Sequence, residues 1–244
     1  MEFDRIYAEV DLGRIEENME AMKEHLRPGT KMYGVVKTDA YGHGAVPVAR
    51  TIDRFVCGYA VATVDEGLKL RRHGIEKEIL SLGPVSAGRY QECLENDISL
   101  PVFEYRRAKE LSDAAAAEGK TAKIHIAVDT GMSRIGLFPD EGSVETVKEI
   151  AELPALRIAG MFTHFARADE ADKTNAGEQF RRFREFCDDV KAAGVDVPVC
   201  HCSNSAGIVE LPDFNMDAVR AGITIYGLYP VSYTHLRAHE TSQD

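Results

Sequence analysis

A lysine stands where an apolar run gives way to a glycine-rich turn, in Val35-Val36-Lys37-Thr38-Asp39-Ala40-Tyr41-Gly42-His43-Gly44. Lysines usually decorate surfaces, but a strand-end lysine can be partly desolvated, which lowers its amine pKa and makes it a nucleophile able to form a Schiff base with an aldehyde. A lysine that only snorkels from a strand end would read the same by itself. Other polar side chains fall at similar places. Arg134, in Val128-Asp129-Thr130-Gly131-Met132-Ser133-Arg134-Ile135-Gly136, offers a fixed fork of donors for a carboxylate or phenolate oxygen and a charge that does not titrate away. An exposed loop arginine is its plain alternative. His164 ends the run Gly160-Met161-Phe162-Thr163-His164, where a histidine can be a hydrogen-bonded structural residue or an acid–base group. Asn204 and Ser205 follow His201-Cys202-Ser203, as anion ligands or as an ordinary helix N-cap. Arg220, Gly222 and Ile223 lie in Val219-Arg220-Ala221-Gly222-Ile223.

These residues need elements to position them. Short β-branched runs recur at 31–37, 57–62, 78–82, 98–103, 123–129, 157–163, 197–202 and 217–221, each followed by a turn and a helical pattern. Val144, Val147 and Ile150/Ala151 form one helical face, and Phe180, Phe183, Cys187 and Val190 another. Gly74, Gly119 and Gly194 fall where left-handed helix caps belong. Regular alternation implies parallel strands with right-handed crossovers, and eight units favour a closed (β/α)8 barrel, a TIM barrel of the α/β class, over an open sheet. Its chemistry belongs in the loops after the strands, and the loops after strands seven and eight form the recurrent phosphate site of this fold. Ser205 and the backbone of Gly222 and Ile223 fit that role. Ahead of the barrel, alternating Ile6, Ala8 and Val10 predict a strand, and Asp11 caps a helix with the stripe Leu12, Ile15, Met19, Met22 and Leu26.

Composition narrows the class. The chain has 244 residues, 44% hydrophobic and 28% charged, enough for one barrel-sized core. A net charge of −11 with no basic stripe argues against nucleic acid or an anionic membrane as partner. Five cysteines form no C-x-x-C pair and no even disulfide framework, and Cys200 and Cys202 read as core rather than as metal ligands; no metal site is expected. A cytoplasmic location follows, since no signal peptide or membrane-spanning run is apparent.

The lysine run resembles the pyridoxal-phosphate lysine motif of alanine racemases. The resemblance implies that Lys37 holds pyridoxal 5'-phosphate and acts as the catalytic base on one face of the substrate, with Tyr41 contacting the phosphate. The second run is similar to that family's Asp-Thr-Gly-Met-x-Arg-x-Gly segment, which implies that Arg134 addresses the cofactor's ring oxygen and the substrate carboxylate. Many members carry a carbamylated lysine at the position of Ala127 to orient this arginine; alanine cannot, so Arg134 must be held some other way. By the same resemblance His164 packs near the pyridine ring without moving the substrate proton, and Asn204, Ser205, Gly222 and Ile223 belong to the cofactor site. Arg220 meets the pyridine nitrogen. A permanently charged partner there leaves that nitrogen unprotonated and favours reprotonation at Cα over transamination.

Residues 1–230 are thus expected to form a pyridoxal-phosphate-binding barrel domain. Residues 231–244, which lack helical or strand periodicity, are expected to be a non-native tail, and the family's β-rich second domain, with its opposite-face tyrosine, to be missing. The implied activity is interconversion of L- and D-alanine for peptidoglycan, by a homodimer when full length, with a fragment such as this one poorly active. A single-domain pyridoxal-phosphate carrier and a serine racemase of the same family are the alternatives; the Lys37–Gly44 run has the racemase form.

Overall fold

The computed structural model describes residues 7–230. Eight parallel strands close into a barrel in sequence order: β1 (Lys31–Val35), β2 (Gly58–Val61), β3 (Glu78–Ser81), β4 (Ile98–Val102), β5 (Ala122–Ala127), β6 (Leu156–Phe162), β7 (Cys200–His201) and β8 (Ala218–Ala221), with β8 paired to β1. The expected (β/α)8 barrel is the observed fold. Helix α1 (Leu12–His25) precedes β1, and a short turn labelled α2 (Lys37–Tyr41) leads into α3 (Ala45–Ile52). Then α4 (Val64–Arg72), α5 (Tyr90–Glu95), α6 (Tyr105–Ala117), α7 (Glu141–Ala151), α8 (Thr174–Ala192) and α9 (Ser205–Glu210) alternate with the later strands.

Local chemistry sets the boundaries. Asp11 caps α1 by accepting the N–H groups of Gly13 at 2.9 Å and Arg14 at 3.2 Å, and a capping box joins Thr63 and Glu66 at the start of α4, each cap worth about 1 kcal/mol. Ile15, Met19 and Met22 are buried, with Leu12 and Leu26 packed at the edge of the core. Gly74, Gly119 and Gly194 adopt the left-handed φ their positions require, at 82°, 62° and 86°. The main apolar core lies between strands and helices, where Ile79, Ile124, Ile126 and Met161 meet Leu111, Val147, Ile150, Phe183 and Val190.

Three expectations are corrected. Ala8 is not in a strand and Val10 makes only a single bridge, while Ile6 and residues 231–244 lie outside the described residues. Strand β1 ends at Val35, so Lys37 opens a turn and does not close a strand. Ala151 is exposed, and the buried face of α7 is Val147 and Ile150.

The barrel interior is less apolar than its outer face. Strands β5 and β6 slip register between Ile124 and His125, so that Gly160 comes opposite His125. A Cβ at Gly160 would lie 2.6 Å from His125 Nδ1 and 2.7 Å from the Val199 carbonyl oxygen, so only glycine lets the imidazole lie across this strand. Gly160→Ala is expected to destabilise the chain by about 1–3 kcal/mol through overpacking. Urea unfolding measures it, and a change below about 0.5 kcal/mol, the scale of a neutral surface substitution, would show that the ring has room to move.

Candidate active site

The turn after β1 carries the two residues whose spacing first suggested chemistry. Thr38, Asp39, Ala40 and Tyr41 all have left-handed backbones, with φ of 55°, 52°, 57° and 53°. For non-glycine residues this conformation costs roughly 1–2 kcal/mol each, or about 4–8 kcal/mol for the four. Such strain persists only where surrounding contacts over-determine it. The turn places Lys37 Nζ 5.8 Å from the centre of the Tyr41 ring, and both side chains line a cavity of ≈ 540 Å³ at the mouth of the barrel. His43 serves the same turn: Nδ1 lies 3.0 Å from the Ala40 carbonyl oxygen, and its ring stacks on Tyr226 at 4.7 Å.

Beside the turn, because β8 pairs with β1, the loops after β7 and β8 meet. Ser205 Oγ accepts the Gly222 N–H at 3.0 Å and lies 3.0 Å from Thr224 Oγ1. A Cβ built on Gly222 would be 3.4 Å from Tyr41 Oη and 3.5 Å from Ser205 Oγ. Tyr41, Ser205 and Gly222 therefore converge on one small volume rimmed by hydroxyls, a cradle that a side chain at 222 would fill and that suits an anion such as phosphate. Ile223 and Asn204 also line the cavity. The Asn204 side chain, however, accepts the Gly207 N–H at 3.0 Å and caps α9, the ordinary N-cap role left open by its sequence.

Arg134 lies at the cavity rim on an exposed loop. Among the described residues its guanidinium has no hydrogen bond or ion pair, which leaves its donor fork available to a ligand. Its loop is fixed through the backbone. The Asp129 carboxylate accepts the N–H groups of Gly131 at 3.0 Å and Ser133 at 2.9 Å, and Leu137 N–H donates to the Ala127 carbonyl at 2.9 Å. Gly136 presses against that closure, where a Cβ would sit 2.4 Å from Asp129 N. Buried Gln179 ties the loop to the next strand end by donating to Thr130 Oγ1 at 3.1 Å and to the His164 carbonyl at 3.0 Å. With Ala127 in place of a lysine, these contacts hold the loop.

Arg220 is buried at the floor of the cavity. Nη1 donates to His201 Nδ1 at 2.7 Å and to the His201 carbonyl at 3.1 Å. Nη2 donates to the carbonyls of Thr163 at 2.7 Å and Cys202 at 3.0 Å, and to His164 Nδ1 at 3.2 Å. Nε–H has no partner among the described residues and remains as the free donor. Burial pulls the guanidinium down to about 10, so it stays charged at neutral pH.

A family model described as "Alanine racemase, N-terminal domain" matches residues 10–230. The chain belongs to the alanine racemase N-terminal domain family. It is 42% identical over 231 residues to an alanine racemase of Methanococcus maripaludis, covering 94% of this chain and 62% of that protein. An alanine racemase of Clostridium novyi is 45% identical over 226 residues, covering 92% and 58%. The chain thus spans about three fifths of the length of these relatives. Among solved structures, alanine racemase of Clostridium difficile superposes with a TM-score of 0.95 at 37% identity, covering 97% of this chain and 63% of that one. Alanine racemase from Bacillus anthracis with bound L-Ala-P gives 0.89 at 35% identity, covering 99% and 64%.

Beneath the cavity lies a polar chain that the sequence does not reveal. His201 Nε2 is 3.0 Å from His125 Nδ1, and His125 Nε2 is 3.2 Å from Glu78 Oε1. Tyr33 and Ser99 donate to the same carboxylate at 2.7 and 2.8 Å. The ends dictate the tautomers. Arginine can only donate, so His201 Nδ1 accepts and its proton is on Nε2; His125 then accepts at Nδ1 and donates Nε2–H to Glu78, which can only accept. The His125–Glu78 contact is therefore a neutral-donor hydrogen bond and not an ion pair. Burial pushes the Glu78 carboxyl up, but the hydrogen bonds from His125, Tyr33 and Ser99 work against it and hold it below the usual carboxylate range. Burial likewise raises the Tyr33 phenol, with the Glu78 charge adding to the effect, so it remains a donor. The available signal was strand alternation: His125 sits between Ile124 and Ile126 and so faces the interior.

Both histidines that touch Arg220 are neutral. Burial first, then the charges of Arg220, Arg134 and Lys37, lowers His164 to about 3. Burial and then Arg220 holds His201 well below the usual imidazole range. Each binds a proton more readily unfolded, with an ordinary pKa near 6.5, than folded. Their contribution is therefore fully present above pH 6.5 and is lost as pH falls below it, by up to about 1.4 kcal/mol per pH unit for each group. Urea unfolding at pH 7.5 and pH 5 should show a loss on the order of 4 kcal/mol. Equal stability at the two values would contradict the neutral pair.

Cys200 and Cys202 are buried and unbridged, and among the described residues no cluster of three or more His, Cys, Asp or Glu side chains is arranged to hold a metal.

Proposed function

We propose that the chain is the pyridoxal-phosphate-binding barrel of an alanine racemase. The observation that carries this reading is the convergence of Lys37 and Tyr41, from one strained turn, on the cradle of Ser205 and Gly222, with charged Arg220 on the cavity floor. Pyridoxal 5'-phosphate, when bound, supplies an aldehyde that links to an amine and a ring that stabilises negative charge at the substrate Cα. The Lys37 amine holds that aldehyde and takes or returns the Cα proton on its own face. Tyr41, Ser205 and the backbone of Gly222 and Ile223 hold the phosphate, with Asn204 fixing the helix start beside them. Arg220 offers Nε–H to the pyridine nitrogen and, being charged, leaves that nitrogen without a proton. His164, neutral and bonded to Arg220, packs against the ring. Arg134 offers its free fork to the ring oxygen and to the substrate carboxylate.

Alanine as substrate is supported by the names of the relatives. The base for the opposite face of Cα is assigned to a tyrosine outside the described residues, from a β-rich second domain of a partner subunit in a homodimer. Tyr41 is the one tyrosine among the described cavity-lining residues, and it faces the phosphate cradle. A cytoplasmic location is supported by the unbridged cysteines. No helix among the described residues is long and apolar enough to cross a membrane.

The test is exchange of the Cα hydrogen of L- and D-alanine with solvent deuterium, in the presence of pyridoxal phosphate. With one base on one face, one enantiomer should exchange much faster than the two interconvert. Absence of exchange with either enantiomer, although cofactor is bound, would overturn the proposal.

A further inference from the structure

Helix α4 lays two charged side chains against the left-handed turn. Glu66 Oε1 accepts the Thr38 N–H at 2.6 Å, while Oε2 accepts the N–H groups of Ala62 at 2.7 Å and Thr63 at 3.3 Å, at the end of β2. One helical turn further on, Lys69 Nζ meets Asp39 Oδ1 at 2.7 Å, and that oxygen also accepts the Ala45 N–H at 2.9 Å. The capping box of α4 accounts for the contact between Glu66 and Thr63, but nothing in helix capping calls for Oε1 to reach Thr38.

Thr38 is the first of the four left-handed residues, it is exposed, and Glu66 is the acceptor for its N–H among the described residues. The later part of the turn is held from within, by Gly42 N–H on the Thr38 carbonyl at 3.0 Å and Gly44 N–H on the Asp39 carbonyl at 2.8 Å. Those bonds fix the turn to itself. Glu66 fixes the turn to the barrel, because the same carboxylate grips the end of β2, the strand paired with β1. A strained backbone keeps its geometry only if its entry point is held. Once Thr38 is released, the segment can relax toward right-handed conformations, and Lys37 and Tyr41 no longer project from fixed places on the cavity wall.

We propose that Glu66 is a positioning residue for Lys37, clamping the entry of the left-handed turn to the end of β2 so that the amine and Tyr41 reach one site together. This rests on the reading of Lys37 as the cofactor lysine. Glu66 does not line the cavity and touches neither reacting atoms nor cofactor; it acts through the Thr38 backbone. Asp39 and Lys69 add a weaker, solvent-exposed tie to the same turn.

The experiment compares the parent chain with Glu66→Gln and Thr63→Ala. Glutamine keeps the size of the side chain but turns an NH2 group toward one of the backbone donors. Thr63→Ala removes the other half of the capping box, the Glu66 N–H to Thr63 Oγ1 bond at 3.4 Å, and leaves the carboxylate on Thr38 untouched. Amide hydrogen exchange is read on the cofactor-free chains. Covalent labelling of Lys37 is read after incubation with pyridoxal phosphate and borohydride. In the parent, the Thr38 amide should exchange as slowly as the amides of β1. In Glu66→Gln, exchange across Thr38–Tyr41 should accelerate at least tenfold, and the pyridoxal phosphate needed for half-maximal labelling of Lys37 should rise tenfold or more. Thr63→Ala should change both by less than twofold. Fast Thr38 exchange in the parent would overturn the proposal without any variant, as would equal effects of the two substitutions or normal labelling in Glu66→Gln. Failure of the parent to label at Lys37 would instead overturn the reading of the lysine, and exchange at Thr38 would still report on the clamp itself.

Discussion

Lys37→Ala is expected to abolish covalent capture of pyridoxal phosphate and to slow Cα hydrogen exchange by about 10²–10⁴-fold, the range for loss of a positioned base, while leaving the fold in place. The two halves of this expectation have different origins. The chemical loss follows from position: Lys37 lines the cavity beside the Tyr41 ring, in the same cavity as the cradle at Ser205 and Gly222. The small structural effect follows from the contacts of the amine, which makes no hydrogen bond or ion pair among the described residues. Stability should change by no more than about 0.5 kcal/mol. The turn itself is held through Thr38, Asp39 and the glycines after it, and the alanine variant keeps all of these. Circular dichroism with urea unfolding checks the fold, and deuterium exchange of alanine checks the chemistry. Exchange within tenfold of the parent would mean that another group takes the proton.

Arg220→Glu is expected to be the most destabilising single change at the site, at about 3–5 kcal/mol, the range for breaking one partner out of a buried charged network. The arginine supplies donors to three carbonyls and two imidazoles. Glutamate supplies none, and places a carboxylate among acceptors. Each abandoned carbonyl keeps its desolvation penalty. The tautomer chain also loses its fixed end: His201 Nδ1, which accepts from Arg220, would have to donate, and His201 would have to carry a second proton. The same substitution reverses the charge offered to the pyridine nitrogen. In a chain joined to the family's second domain, the folded fraction is expected to form pyridoxamine phosphate as a by-product, because a protonated ring nitrogen deepens the electron sink. Unchanged stability, or racemisation with no pyridoxamine formed, would contradict the role given to Arg220.

The sequence was most informative where local pattern and chemistry coincide. Strand-helix alternation placed all eight strands, because each falls in a short apolar run bounded by turn residues, and the strands and the loops after them bring Lys37, Arg134, His164, Ser205 and Arg220 to one cavity. What it could not reveal depends on distant partners. Thr38, Asp39, Ala40 and Tyr41 carry no sign of a left-handed turn, since each prefers other conformations and is held there by Glu66 and by hydrogen bonds closing on Gly42 and Gly44. The chain from Arg220 to Glu78 joins β8, β7, β5 and β3, residues up to 76 positions apart at a single contact, and no local periodicity reports such a path. Strand β7 was read as six residues and pairs over only Cys200 and His201, because the backbone beyond them turns away to bond β8 and start α9.

The central claim is that Lys37 holds the cofactor. Incubation of the full chain with pyridoxal phosphate, followed by borohydride reduction and peptide mapping, tests it most directly. The account predicts a stable label on Lys37 at near one equivalent, prevented when excess phosphate is present during the incubation to compete for the Tyr41, Ser205 and Gly222 cradle. A label on a different lysine, or spread evenly over surface lysines and indifferent to phosphate, would contradict it.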